Sequence, residues 1–117
     1  MFRLKRVYER ASAEDGYRVL VDRVWPRGLK KEEARIDEWQ REIAPSSELR
    51  RWYGHDPDKW SEFRSRYVAE LDGKPDLVRE LRERARSRTV TLLFGARERE
   101  RNNAVALKAY LEAHKGD

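Results

Sequence analysis

Two short runs constrain this chain most. Arg18-Val19-Leu20-Val21-Asp22-Arg23-Val24-Trp25 is nearly all apolar in its first half, and Thr89-Val90-Thr91-Leu92-Leu93-Phe94 has the same β-branched and aromatic character. A strand with one wet face alternates polar and apolar residues, whereas a continuous apolar run of this length suits a strand covered on both faces. Between the two runs lie about sixty residues of helical signal. A strand, a helical crossover and a second strand imply a parallel pair with a right-handed connection. Phe2 to Tyr8 alternates loosely and reads as a further strand, followed by the turn signal Glu14-Asp15-Gly16. The loop joining it to Arg18 is short, which predicts an antiparallel hairpin. The expected architecture is therefore α/β: a small three-stranded mixed sheet with a parallel pair, covered by about five helices, in one domain over residues 1–117.

The helical stretch divides at its own punctuation. Asp37 with Gln40 forms a capping-box pattern, predicting a helix with Ile36, Trp39 and Ile43 on one side and Pro45 as its stop. Ser46 or Ser47 can cap a short helix carrying Leu49, Trp52 and Tyr53, ended by Gly54. Asp56-Pro57 is an N-cap followed by proline at the first helical position, and Trp60, Phe63, Tyr67 and Leu71 then form one apolar stripe. Gly73 closes that helix, and Pro75 opens another with Leu77, Val78, Leu81 and Ala85 facing inward. Asn102 can cap a last helix, whose inner face is Ala104, Leu107 and Leu111.

Several function classes drop out. The chain has no cysteine, so disulfides, thiolate metal sites and a cysteine nucleophile are excluded. Its two histidines, His55 and His114, are far apart and make no metal-ligand spacing, so no metal is expected. There is no GxGxxG, P-loop or GxSxG pattern, and no cofactor is expected. Ser46 and Ser47 read as caps and His114 as inert. The first residues alternate apolar and basic and lack the apolar segment of a signal peptide. No run approaches the ~20 apolar residues of a membrane span. A cytoplasmic location is the default expectation. The net charge of +5 raises nucleic acid as a partner. The signs are interleaved, however, as in Arg79-Glu80-Leu81-Arg82-Glu83-Arg84, which reads first as solvated helix faces with local ion pairs.

The candidate chemistry lies where the two apolar runs end. Parallel neighbours share a carboxyl edge, the edge at which open α/β sheets place ligands. One run exits into Trp25-Pro26-Arg27-Gly28, the other into Gly95-Ala96-Arg97 and then Asn102-Asn103 at a helix start. Arg27 and Arg97 could converge there beside free helix N–H groups and hold a phosphate or carboxylate; both could equally be solvated loop residues. Asp22 and Arg23 interrupt an apolar strand and would point to opposite faces, each needing its own partner. Arg23 suits a structural ion pair, and Asp22 suits a base or a group that orients Arg27. His55 is a candidate general acid or base, or a loop residue packed on Trp52 or Trp60. Asp22 and His55 are thus the catalytic candidates, with Arg23, Trp25, Arg27, Arg97 and Asn103 as ligand-binding candidates.

Several segments together carry a family resemblance. They are Tyr17-Arg18-Val19-Leu20-Val21-Asp22-Arg23-Val24-Trp25-Pro26-Arg27-Gly28, Ala44-Pro45-Ser46, Leu49-Arg50-Arg51-Trp52-Tyr53-Gly54-His55-Asp56-Pro57, and Trp60 with Phe63, Arg66-Tyr67 and Glu70-Leu71. Thr91-Leu92-Leu93-Phe94-Gly95-Ala96 and Asn103-Ala104 complete the pattern. The chain resembles the YeaO-like proteins, a bacterial group classed under a domain of unknown function (number 488). The resemblance implies a small stand-alone cytoplasmic α/β protein and brings no activity with it. Its motif positions fall on Asp22, Arg23, Trp25, Pro26, Arg27, Gly28, His55, Asp56, Pro57 and Asn103. The family's segment before the last helix often carries His beside Asn; here Arg99-Glu100-Arg101-Asn102-Asn103 has none, which counts against an essential histidine in that loop. Three functions follow as expectations: a site for an anionic or phosphorylated small molecule, possible catalysis included; a nucleic-acid or regulatory module, not favoured; and a protein-interaction module without a ligand.

Overall fold

The computed structural model describes residues 1–113, so His114 and its expected inertness lie outside the described residues. Strands β1 (Phe2–Arg6), β2 (Tyr17–Leu20), β3 (Glu38–Trp39) and β4 (Val90–Phe94) form one sheet in the order β1-β4-β2-β3. The helices are α1 (Lys31–Ala34), α2 (Ser47–Tyr53), α3 (Trp60–Asp72), α4 (Pro75–Ser87) and α5 (Asn103–Ala113).

Every strand pairing is parallel, so the sheet is neither three-stranded nor mixed. The hairpin expected between β1 and β2 does not form, because β4 lies between them: Phe2 and Tyr17 both stand opposite Val90. Burial explains the exchange. All five residues of β4 are buried, so both its edges need partners and both its faces need cover, while β1 exposes Arg3 and Leu4 and suits the edge.

Residues 7–16 run back under the sheet instead of turning tightly. Their end is anchored by Asp15, whose carboxylate accepts from Lys5 Nζ at 3.0 Å, Arg18 NH1 at 2.5 Å, Ser12 N at 3.0 Å and Ser12 Oγ at 3.1 Å. Asp15 is 2% exposed. Burial disfavours its charge, but the bonds from Ser12, Lys5 and Arg18 outweigh that and hold its pKa at about 2. Gly16 follows at φ 64°, where a Cβ would stand 2.3 Å from the Thr89 carbonyl oxygen. That oxygen accepts from Tyr17 N at 2.9 Å, so glycine lets β2 enter beside β4.

The helix expected around Asp37 is a strand followed by a 3₁₀ turn, Arg41–Ile43. Asp37 does not cap. Its carboxylate accepts from Arg18 N at 2.8 Å, its N–H donates to Arg18 O at 2.9 Å, and Gln40 N donates to Leu20 O at 2.9 Å. The open edge of β2 thus captures the segment, and an edge partner outweighs a local capping pattern.

The other helix signals form as expected. Ser46 Oγ accepts from Leu49 N at 3.1 Å to open α2, which Gly54 ends at φ 52°. Asp56 Oδ1 accepts from Asp58 N at 3.0 Å in the 3₁₀ turn Pro57–Lys59 that leads into α3. Asn102 Oδ1 accepts from Val105 N at 3.0 Å at the head of α5. One core joins Val19, Val90, Leu92 and Phe94 to Phe63, Tyr67, Leu71, Leu81 and Leu107 from the helices. A smaller core on Leu20 and Leu93 takes Val7 with Trp25, Leu29, Ile36 and Trp39 from the connecting segments. No helix among the described residues is long and apolar enough to cross a membrane.

Candidate functional site

The apolar run after Tyr17 stops being a strand earlier than its composition suggests. Val21 N still donates to Leu93 O at 3.1 Å, and then the chain leaves the sheet. Two bonds replace the next rung of the ladder. Gly95 N, just past β4, donates to Asp22 Oδ2 at 2.9 Å, and Asn103 Nδ2 donates to Asp22 Oδ1 at 3.0 Å. A Cβ on Gly95 would lie 3.1 Å from Asp22 Oδ2 and 3.4 Å from Pro26 Cβ, so glycine admits the carboxylate at this point.

Because the strand has ended, the strand rule that separates neighbouring side chains no longer applies. Asp22 and Arg23 line one cavity together, not opposite faces. The cavity holds about 130 Å³ and lies against the ends of β2 and β4. The outgoing chain from β2 leads to β3, while that from β4 leads to α5, which packs on β1 and β4. Such divergence is where a parallel sheet opens a crevice.

Arg23 makes no ion pair with a described carboxylate. Its Nε donates to Pro45 O and its NH2 to Ala44 O, both at 3.0 Å. It thereby holds the segment that enters α2, whose first turn is tied to α3 by Ser46 N and Oγ donating to the Glu70 carboxylate at 2.8 and 2.6 Å. Arg50, from the middle of α2, also lines the cavity, and its guanidinium has no hydrogen-bond or ion-pair partner among the described residues. His55 lines it too, at φ 58°. Its ring lies 6.0 Å from that of Tyr53, not on Trp52 or Trp60. Tyr53 is in turn stacked on Phe63 at 4.3 Å and donates its hydroxyl to Arg101 O at 2.8 Å.

The electrostatics of the cavity are mixed. Burial raises the pKa of Asp22 above the ordinary aspartate value, against the opposing pull of the Asn103 and Gly95 bonds and the charges of Arg50 and His55. No group of three or more His, Cys, Asp or Glu placed to hold a metal exists among the described residues.

Of the residues singled out from the sequence, Asp22, Arg23, His55 and Asn103 come together at this cavity. Trp25, Arg27 and Arg97 do not line it. Trp25 turns into the smaller core, edge-on to Trp39 at 5.3 Å, and donates from Nε1 to Leu29 O at 2.9 Å. Arg27 and Arg97 are exposed. The Asp22 carboxylate is held by Gly95 and Asn103, so it does not orient Arg27. Sequence reasoning missed Arg50. The available signal was its spacing: it stands three residues before Tyr53 and so shares a side of α2 with it.

The profile of the family described as the Inactive DUF488-N3 subclade matches residues 1–116. Uncharacterized protein YeaO of Escherichia coli (strain K12) is 41% identical over 109 residues, covering 93% of this chain and 95% of that protein. An uncharacterized protein of Mycobacterium tuberculosis (strain ATCC 25618 / H37Rv) is 43% identical over 109 residues, covering 93% of this chain and 92% of its own length. No solved structure matches. With the profile covering nearly every residue and these relatives aligned over almost their whole length, the chain belongs to the YeaO-like DUF488 family, in the branch described as its inactive N3 subclade.

Proposed function

We propose that this protein binds a small anionic molecule, a carboxylate or a phosphate, in the cavity at the carboxyl edge of its sheet. The observation that carries the reading is Arg50: its guanidinium lines the cavity, feels the charge of Asp22 across it, and makes no hydrogen bond or ion pair with a described residue. Arg23 adds a second guanidinium whose bonds go to neutral carbonyls, so its charge is not matched by a carboxylate of its own. Arginine presents planar, paired N–H donors that suit carboxylate and phosphate oxygens. The family's description as inactive favours binding without turnover. Asp22 and His55 are accordingly assigned to ligand contact and not to proton transfer.

Titration calorimetry with inorganic phosphate and with propionate tests this. The wild-type protein should give saturable heat with at least one of them. Arg50→Ala should weaken that binding about tenfold or more, a change worth about 1.4 kcal/mol. Arg50 is exposed on α2, so the circular dichroism of the variant should stay that of the wild type. Absence of heat with both anions, or unchanged affinity in Arg50→Ala, removes the reading.

A further inference from the structure

The cavity carries one more distinction, which rests on the anion-binding reading just given. Its wall is not uniformly positive. Asp22 contributes a carboxylate, and each of its oxygens accepts one bond from the protein: Oδ1 from Asn103, Oδ2 from Gly95 N–H. A carboxylate offers about four acceptor positions, so each oxygen keeps capacity for another donor. The neighbouring guanidiniums do not take it. The Arg23 guanidinium donates to Pro45 and Ala44, and the Arg50 guanidinium makes no hydrogen bond to a described residue.

A plain anion would satisfy Arg50 and meet Asp22 as a like charge or as an unused acceptor. A plain cation would do the reverse. A molecule with both an anionic group and a hydrogen-bond donor answers both walls. At about 130 Å³ the cavity is close to the ~150 Å³ that admits benzene, so a group of about six non-hydrogen atoms fits within it. We infer that the ligand is a small amino or hydroxy acid, its anionic end on Arg50 and its N–H or O–H donated to Asp22.

Three ligands of nearly equal size separate the possibilities: propionate, 2-hydroxypropionate and alanine differ only in H, OH or NH₃⁺ beside the carboxylate. In the wild-type protein alanine or 2-hydroxypropionate should bind at least about tenfold tighter than propionate, the scale of one hydrogen bond to a charged group. Asp22→Asn should reduce that preference to within about threefold while propionate still binds. If propionate binds as well as both others, the inference is overturned and the anion reading stands. If propylamine matches alanine, the carboxylate end is irrelevant and the inference is overturned as well. If none of these ligands binds while phosphate does, the inference is overturned and the anion reading stands; if phosphate does not bind either, the anion reading itself has failed. Should Asp22→Asn not fold, the wild-type comparison with propionate and propylamine decides alone.

Discussion

Asn103 Nδ2 donates to the Val21 carbonyl and to Asp22 Oδ1, each at 3.0 Å. One side chain at the head of α5 therefore closes the end of β2 and sets the direction of Asp22, the only acid among the described residues that line the cavity. The last helix, the central strands and the site are joined through this amide.

Replacing Asn103 with alanine removes the donor from two acceptors. The expected loss is about 1–3 kcal/mol, read as a lower midpoint in urea. Asn103→Asp should be worse, since it sets a second carboxylate against Asp22 in place of a donor. A variant Asn103→Asp as stable as the alanine form would show that the amide is not what holds Asp22.

Gly16 makes a sharper geometric demand. At φ 64°, and with Thr89 O 2.3 Å from where a Cβ would lie, Gly16→Ala must move either the turn or β4. The same oxygen receives the Tyr17 N–H, so relief by shifting Thr89 loosens the first rung between β2 and β4. Destabilisation of more than about 1 kcal/mol is expected, with a thermal midpoint lowered in proportion. An unchanged midpoint would mean that the loop 7–16 does not enter the sheet through this turn.

How much of this could be read beforehand depended on whether the signal was local. Ser46, Pro75 and Asn102 announce helix starts through local chemistry, and α2, α4 and α5 begin there, whereas Asp56 with Pro57 opens the 3₁₀ turn Pro57–Lys59 and α3 itself starts at Trp60. The runs around Val19 and Leu92 announce burial on both faces, and both strands lie inside the sheet with a core on each side. Strand order was not legible, because nothing in residues 7–16 states that β4, from the far end of the chain, will lie between β1 and β2. Asp37 misled because its capping pattern is genuine but the edge of β2 offers it a better partner in Arg18 N. The site was legible in part for a related reason. Asp22 and Asn103 stood out as polar residues at the ends of apolar elements, whereas Arg50 sits among the interleaved charges of Glu48-Leu49-Arg50-Arg51, and only the packing of α2 selects it.

Asp56 has a capping role that can be separated from any part in binding. Its Oδ1 accepts from Asp58 N at 3.0 Å at the positive end of the turn that leads into α3. Asp56→Ala should cost about 0.5–2 kcal/mol, and Asp56→Asn less, because asparagine caps nearly as well. Equal losses in the two variants would argue against simple capping. Loss of propionate or phosphate binding with stability intact would place Asp56 in the site.

Asp15 gives the fold a defined acid sensitivity. Its folded pKa of about 2 lies below the ordinary 3.8, so between these values the unfolded chain binds the proton more readily than the folded one. The stability from the Lys5, Arg18 and Ser12 bonds is therefore complete above about pH 4 and is lost as the pH falls through about 2. At 1.36 kcal/mol for each pKa unit, the contribution is about 2 kcal/mol. Asp22 acts with the opposite sign: its raised folded pKa means that the folded state holds the proton longer, and stability declines as the pH rises through that value. Comparing wild type with Asp15→Asn isolates the first effect, since Asp22 is present in both proteins and its contribution cancels in the difference. Urea midpoints measured from pH 7 to pH 2 should show a stability gap that is constant above about pH 5 and shrinks by about 2 kcal/mol between pH 4 and pH 2. A gap that stays constant through that window would mean that Asp15 titrates as an ordinary surface carboxylate and that its buried bonds with Lys5 and Arg18 do not hold the charge.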